Sequence, residues 1–167
     1  MKLRYFVAIK INQETVLKLR SFYKDSFLKE LPIKNIHLTL MAPFFLKVEN
    51  REEEILEKIK NIKLYPFRAK FTGLDFFEQK GRRILYAKAE PEIEFKELVE
   101  KVKMAISDLV EVDVGPYTDS KVPSFKAHVT LDYDFREIIP EAFLEMPFSV
   151  EEMVVFREDS GEWKEIC

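Results

Sequence analysis

Apolar and polar positions along this chain change rhythm several times, and the rhythm divides it into strands and helices. From Arg4 to Ile11 a nearly continuous apolar run reads as a buried strand. Between Gln13 and Lys29, Val16, Leu19, Phe22, Tyr23 and Phe27 recur at three- and four-residue steps. That spacing predicts a helix, and Pro32 ends the region. An extended segment follows over 35–42, with Pro43 as its expected end. A helix is predicted over 49–61 and a strand over 67–77, interrupted at Gly73. In the second half, 83–89 alternates as a strand, and 92–110 carries a helical stripe of Leu98, Val102, Ala105, Ile106 and Leu109. Loop is expected over 112–123, strand over 125–134 and a short helix over 136–146, weakened by Pro140. A strand over 148–157 and a last one over 163–166, after a turn at Asp159-Ser160-Gly161, complete the reading.

The order strand, helix, strand, helix, strand therefore occurs twice, over approximately 1–80 and 81–167. We expect one domain spanning 1–167, built as two pseudo-symmetric lobes with a cleft between them. A pseudo-twofold axis would bring equivalent strands of the two lobes face to face, and a cleft between lobes is a favoured place for a ligand.

The equivalent strands carry the same phrase. His37-Leu38-Thr39-Leu40 and His128-Val129-Thr130-Leu131 contain the chain's only two histidines. Side chains alternate between faces along a strand, so each histidine shares a face with its threonine while the aliphatic residues take the other. Chance would produce both copies roughly once in ten thousand chains of this composition. A packed structural histidine explains one such strand, but not two copies facing each other.

Composition narrows the classes. With 47% hydrophobic residues and fifteen phenylalanines the chain can fill a sizeable core. Four glycines leave no glycine-rich phosphate loop, and a net charge of −3 argues against a protein that coats nucleic acid, while permitting a local basic cleft. The one cysteine, Cys167, allows no disulfide within the chain, so a reducing cytoplasm is expected, and no membrane partner. The first ten residues are too charged for a signal peptide.

Histidine titrates near 6.5, so near neutral pH one imidazole can accept a proton while another donates one. Threonine hydroxyls two residues on can donate to an anionic oxygen. Two such pairs across an axis suit a tetrahedral anion, and a phosphodiester fits: one histidine activates water, the other protonates the departing oxygen on the opposite side.

These residues resemble the two-histidine phosphoesterase superfamily, which includes the RNA 2′,3′-cyclic phosphodiesterases, also called 2′-5′ RNA ligases. Its signature is a duplicated histidine–apolar–threonine–apolar phrase, and both copies match in full. The resemblance extends to Arg4-Tyr5-Phe6-Val7-Ala8-Ile9, to Ile84 through Pro91 and to Phe156 through Trp163, the last two being closest to a bacterial phosphoesterase branch. It implies an α+β fold with two lobes, each a mostly antiparallel sheet backed by helices. It also implies a metal-independent, cytoplasmic enzyme without cofactors that opens a 2′,3′-cyclic phosphate on an RNA end or small nucleotide, with reverse 2′-5′ ligation as a further activity. We expect a monomer with no obligatory protein partner. By resemblance His37, Thr39, His128 and Thr130 are catalytic, with His128 as base toward water and His37 as acid toward the 3′ oxygen.

The chain departs from the family where many relatives carry an arginine and Tyr133 stands, and where a proline commonly precedes the second histidine and Ala127 stands. Asp132 and Asp134 are expected on the face of His128, adding negative charge. Arg4, Lys126, Arg82 and Arg83 are candidates to restore positive potential. Phe44, Phe125, Tyr86 and Tyr133 are aromatic candidates for stacking a base. Of these, Arg4, Phe44, Lys126 and Tyr133 are the substrate-binding expectations. Two other classes compete: a divalent-metal enzyme using His37, His128, Asp132 and Asp134, and a non-catalytic binder of nucleotides or phosphorylated ligands.

Overall fold

The computed structural model describes residues 2–113, 124–143 and 145–167. Its strands are β1 (Arg4–Lys10), β2 (His37–Leu46), β3 (Phe67–Gln79), β4 (Arg82–Glu90), β5 (Val110–Val112), β6 (His128–Asp132), β7 (Met146–Val150), β8 (Met153–Asp159) and β9 (Glu162–Glu165). The helices are α1 (Gln13–Phe27), α2 (Glu52–Lys60) and α3 (Glu92–Ile106), α2 being preceded by a 3₁₀ turn over Glu49–Arg51.

The strands form one curled, antiparallel sheet in the order β7-β3-β4-β6-β2-β1-β8-β9, with β5 added along the end of β2. The two motif strands are neighbours at its centre, joined at Leu38 and Val129. Each lobe is the four-strand wing on one side of that junction. The wings do not coincide with 1–80 and 81–167. β3, from the first half, pairs with β4, while β8, from the second, pairs with β1. Each half of the sequence lends its last strands to the other wing, which knits the two into one sheet.

One face of the sheet is covered. Val16, Leu19 and Tyr23 of α1, Ile55 and Ile59 of α2, and Phe95, Leu98, Val102 and Ile106 of α3 share one core with Leu38, Leu40, Val129 and Leu131. This is the aliphatic face of the motif phrases. α1 begins cleanly because the Asn12 side chain accepts from the Thr15 N–H at 2.9 Å. It ends where Leu28 turns left-handed, φ 55°. The opposite face is open and carries a small cluster of Phe6, Ala8, Val154 and Phe156 under Trp163.

Several boundaries differ from those read in the sequence. β2 runs through Pro43 to Leu46. Met41 pairs with Val7 and Phe44 with Tyr5, so two residues, Ala42 and Pro43, oppose Phe6 alone. A proline is tolerated in that bulge because no ladder hydrogen bond is asked of its nitrogen. Gly73 does not interrupt β3 but sits beside another bulge, where Phe71 pairs with Ala89 and Gly73 with Lys88. The third helix stops at Ile106, a turn takes 107–109, and Val110 begins β5, while most of the expected loop after it lies outside the described residues. No helix forms over 136–143, where Pro140 removes a donor. The expected strand over 148–157 is two, parted at Glu151-Glu152, with β7 going to one wing and β8 to the other.

Candidate active site

The register at the sheet centre builds the site. Leu38 opposite Val129 in an antiparallel pair sets His37 level with Thr130 and Thr39 level with His128. Directly opposed side chains stand roughly 5 Å apart at Cβ and diagonal ones roughly 7–8 Å. Each histidine thus has the other copy's threonine as its neighbour, and the two imidazoles lie on the diagonal. All four side chains are on the open face and partly exposed, while Leu38, Leu40, Val129 and Leu131 beneath them are buried.

Both rings are held in the same way. Nδ1 of His37 donates to the Asn35 carbonyl at 3.0 Å, and Nδ1 of His128 donates to the Lys126 carbonyl at 2.6 Å. A carbonyl only accepts, so the proton sits on Nδ1 and Nε2 of each neutral ring faces the open side as an acceptor. Burial pushes the His37 imidazole below the usual histidine value. The carbonyl bond opposes this, and the neighbouring His128 adds to it. Burial likewise lowers His128, with Lys126 adding to the effect.

Aromatic rings support each imidazole from the flanking strands. His37 stacks on Phe6 of β1, centroids 4.7 Å apart at 29°, with Phe156 of β8 beside it at 5.3 Å. His128 stands at 63° to Tyr86 of β4 and at 75° to Phe77 of β3, its centroid 5.1 Å from each. The supporting pairs are themselves stacked, Phe6 on Phe156 at 4.7 Å and Phe77 on Tyr86 at 4.2 Å. They occupy equivalent strands of the two wings.

A family model of the 2′-5′ RNA ligase superfamily matches residues 11–162. The chain belongs to that superfamily. Among solved structures, TT0787 of Thermus thermophilus is similar with a TM-score of 0.73 at 23% identity, over 98% of this chain and 94% of that one. E. coli LigT complexed with 3′-AMP gives 0.67 at 18%, over 99% and 95%. The same protein complexed with phosphate gives 0.67 at 17%, again over 99% and 95%. No match among curated proteins reaches significance.

Within this member of the superfamily the remaining expected residues fall in unlike places. Lys126 is exposed beside His128. The Tyr133 phenol is in hydrogen-bonding contact with the Thr130 hydroxyl, and its ring lines a recess with Lys80 and Arg82. Arg4 stands next to Trp163 on the open face, 5.6 Å from the ring centroid, but is bound by Asp113 at 2.9 Å and Glu158 at 3.3 Å. Phe44 is a correction. It is fully buried against Tyr5, so its ring offers no platform for a base. Tyr86 is also buried and supports His128 rather than a ligand. Arg83 lies over the rings of Phe76 and Phe135.

Asp132 is the second correction. Leu85 pairs with Asp132 and Tyr86 with Thr130, so Leu131 is the extra residue of a bulge. The bulge turns Asp132 to the helix side, where it accepts from Tyr23 Oη at 2.6 Å and Lys29 Nζ at 3.3 Å. Asp134 is exposed and paired with Arg136. The mixed histidine–aspartate metal set therefore does not assemble, and among the described residues no three His, Cys, Asp or Glu side chains converge. Sequence reasoning missed Phe6, Phe156 and Phe77 as ring supports and Lys88 as the residue level with His128 on β4. The signal for Lys88 was present, since it interrupts an apolar strand at the one position that pairs with a motif histidine.

Proposed function

We propose that this protein is a metal-independent phosphodiesterase that opens a 2′,3′-cyclic phosphate, on an RNA end or a nucleotide, by paired-histidine acid–base catalysis. The observation that supports the reading is the central register, with both histidines and both threonines on one face of adjoining strands and Nδ1 of each ring engaged by a backbone carbonyl. The LigT structures with 3′-AMP and phosphate show that a protein of this fold holds such groups.

In this reading Thr39 and Thr130 donate hydrogen bonds to the non-bridging phosphate oxygens. Nε2 of His128 takes a proton from water as the oxygen attacks phosphorus. The P–O3′ bond breaks opposite, and Nε2–H of His37 delivers its proton to the departing 3′ oxygen, leaving a 2′-phosphate. Proton exchange with solvent then resets both rings. A 5′-hydroxyl in the place of water gives a 2′-5′ linkage. Two surroundings support the roles. Burial lowers both imidazoles; the flat of Phe6 offsets part of this at His37, and the Lys126 ammonium adds to it at His128.

The test is turnover of adenosine 2′,3′-cyclic phosphate by purified protein in excess EDTA. We expect release of the 2′-phosphate and loss of activity in either histidine-to-alanine variant. Binding of nucleotide without turnover would replace the enzyme with a binder, and loss of activity in chelator would overturn the metal-free mechanism.

A further inference from the structure

Lys88 of β4 pairs with His128 across the sheet, so the two side chains share the open face. Its counterpart on the other wing is Lys10 of β1, which pairs with His37. The two lysines differ in one respect. Lys10 is bound to Glu165 at 2.9 Å. Among the described residues Lys88 meets no carboxylate at ion-pair distance, and neither does Lys126, two residues before β6 begins. The Lys88 stem lies over Gly73, where a Cβ would stand in ordinary contact 3.4 Å from its Cε.

Lys88 and Lys126, with Arg68 and Lys70, line a recess of ≈ 760 Å³ over β4 and β3, on the side of the sheet where Lys88 is level with His128. Three carboxylates share its lining, and two are engaged. Asp75 faces the Tyr86 hydroxyl, Glu92 pairs with Lys96 at 3.8 Å, and Glu90 is level with Lys70, which itself binds Glu145. The recess at His37 is smaller, ≈ 410 Å³. Of its lysines, Lys10 and Lys164 are ion-paired, and Lys34 alone stands without a carboxylate among the described residues.

We propose that Lys88 and Lys126 form a second anion subsite, taking a phosphate one nucleoside away from the one held by the histidines and threonines. The inference rests on the proposed phosphodiesterase reading. β4 is one strand over, about 5 Å, and a lysine stem reaches further, which suits the spacing of the two phosphates of a nucleoside 3′,5′-bisphosphate unit. Such a unit has two sources: the 5′-phosphate of the cyclic nucleotide itself, or the phosphate on the nucleoside joined through its 5′ oxygen in a 2′-5′ linkage.

Calorimetry with adenosine 3′,5′-bisphosphate, 3′-AMP and 5′-AMP tests the subsite without chemistry. The wild type should bind the bisphosphate about tenfold more tightly than either monophosphate, the low end for an exposed charge-assisted contact. K88Q and K126Q should each shrink the preference, K88R should restore it, and K101Q on α3 should leave it in place. Kinetics then assign the source. kcat/KM is compared for the cyclic nucleotide with and without a 5′-phosphate, and for a 2′-5′ dinucleotide with and without a terminal 3′-phosphate. Equal binding of mono- and bisphosphate by the wild type, or a preference intact in the K88Q/K126Q double variant, would overturn the subsite. A lysine-dependent preference without turnover of any substrate keeps the subsite and removes the phosphodiesterase reading.

Discussion

The two wings hold the same device in unlike surroundings. On the β2 side the imidazole lies against the flat of Phe6, and the cations around it are mostly bound, Arg4 by Asp113 and Glu158, Lys10 by Glu165. On the β6 side the imidazole stands at steep angles to Tyr86 and Phe77, Lys88 and Lys126 stand without carboxylates among the described residues, and the residue that the bulge turns into the core is Asp132 where β2 has the apolar Met41. A strictly symmetric pair of histidines would have no preferred direction for a proton. In the proposed mechanism duplication supplies the four functional groups and the flanking strands supply their polarity: burial lowers both imidazoles, the Lys126 ammonium lowers His128 further, and Phe6 lies flat against His37.

The largest effects should come from separating the two roles. H37A and H128A should each lower kcat by at least about 10²-fold, the scale for losing a positioned acid or base, and the double variant should fall well short of the product. A substrate with a leaving group that needs no proton should recover much of the activity of H37A and little of H128A. Equal recovery in both would erase the proposed polarity.

The bulge on β6 has its counterpart on β2, where Leu40 is the extra residue between the Ala8–Thr39 and Val7–Met41 pairs, but the residue turned into the core there is the apolar Met41 rather than Asp132. D132A leaves the Tyr23 hydroxyl without its acceptor and removes one of two partners of Lys29, and should cost about 2 kcal/mol in denaturant unfolding. A cost near zero would mean that the bulge is held by packing alone. Tyr133 touches the threonine of one copy only. Y133F should therefore reduce kcat/KM by roughly two- to fivefold, the worth of one neutral hydrogen bond, without altering the response to T39V.

The smallest signal is in the pH dependence of stability. Both imidazoles titrate below the ordinary histidine value, largely through burial. The unfolded chain, with histidines near 6.5, then binds more protons than the folded one in this range. Stability is complete above about pH 6.5 and declines as pH falls through the folded values, and H37Q and H128Q should each flatten part of that decline. By the same reasoning kcat/KM, which reports the free enzyme, should be greatest on the acid side of pH 6.5, as a property of the coupled pair. An optimum well above neutral would contradict the burial of the rings.

Much of this was legible in the sequence because it depends on period and repetition. Alternation along 37–40 and 128–131 placed imidazole and hydroxyl on one face, and the three-residue steps of Val16, Leu19 and Tyr23 placed α1 against the other. Bulges were not legible. They change which face a residue takes without changing the residue, so Asp132 was misplaced by an alternation rule that assumes an unbroken strand, and Pro43 was read as a strand end because the bulge that admits it leaves no mark in the sequence. Strand exchange between the halves was also hidden, since a break at Glu151-Glu152 fixes where a strand stops but not which neighbour it joins. Phe44 looked available to a ligand only because aromatic residues fill both the core and the open face of this protein.

Nitrogen-15 spectra of the two imidazoles during titration with inorganic phosphate address the shared cradle most directly. One phosphate per chain should move the Nε2 resonances of His37 and His128 along a single curve, with Nδ1 of both remaining protonated. Two independent curves, or a response confined to one ring, would show that the histidines do not face a common anion.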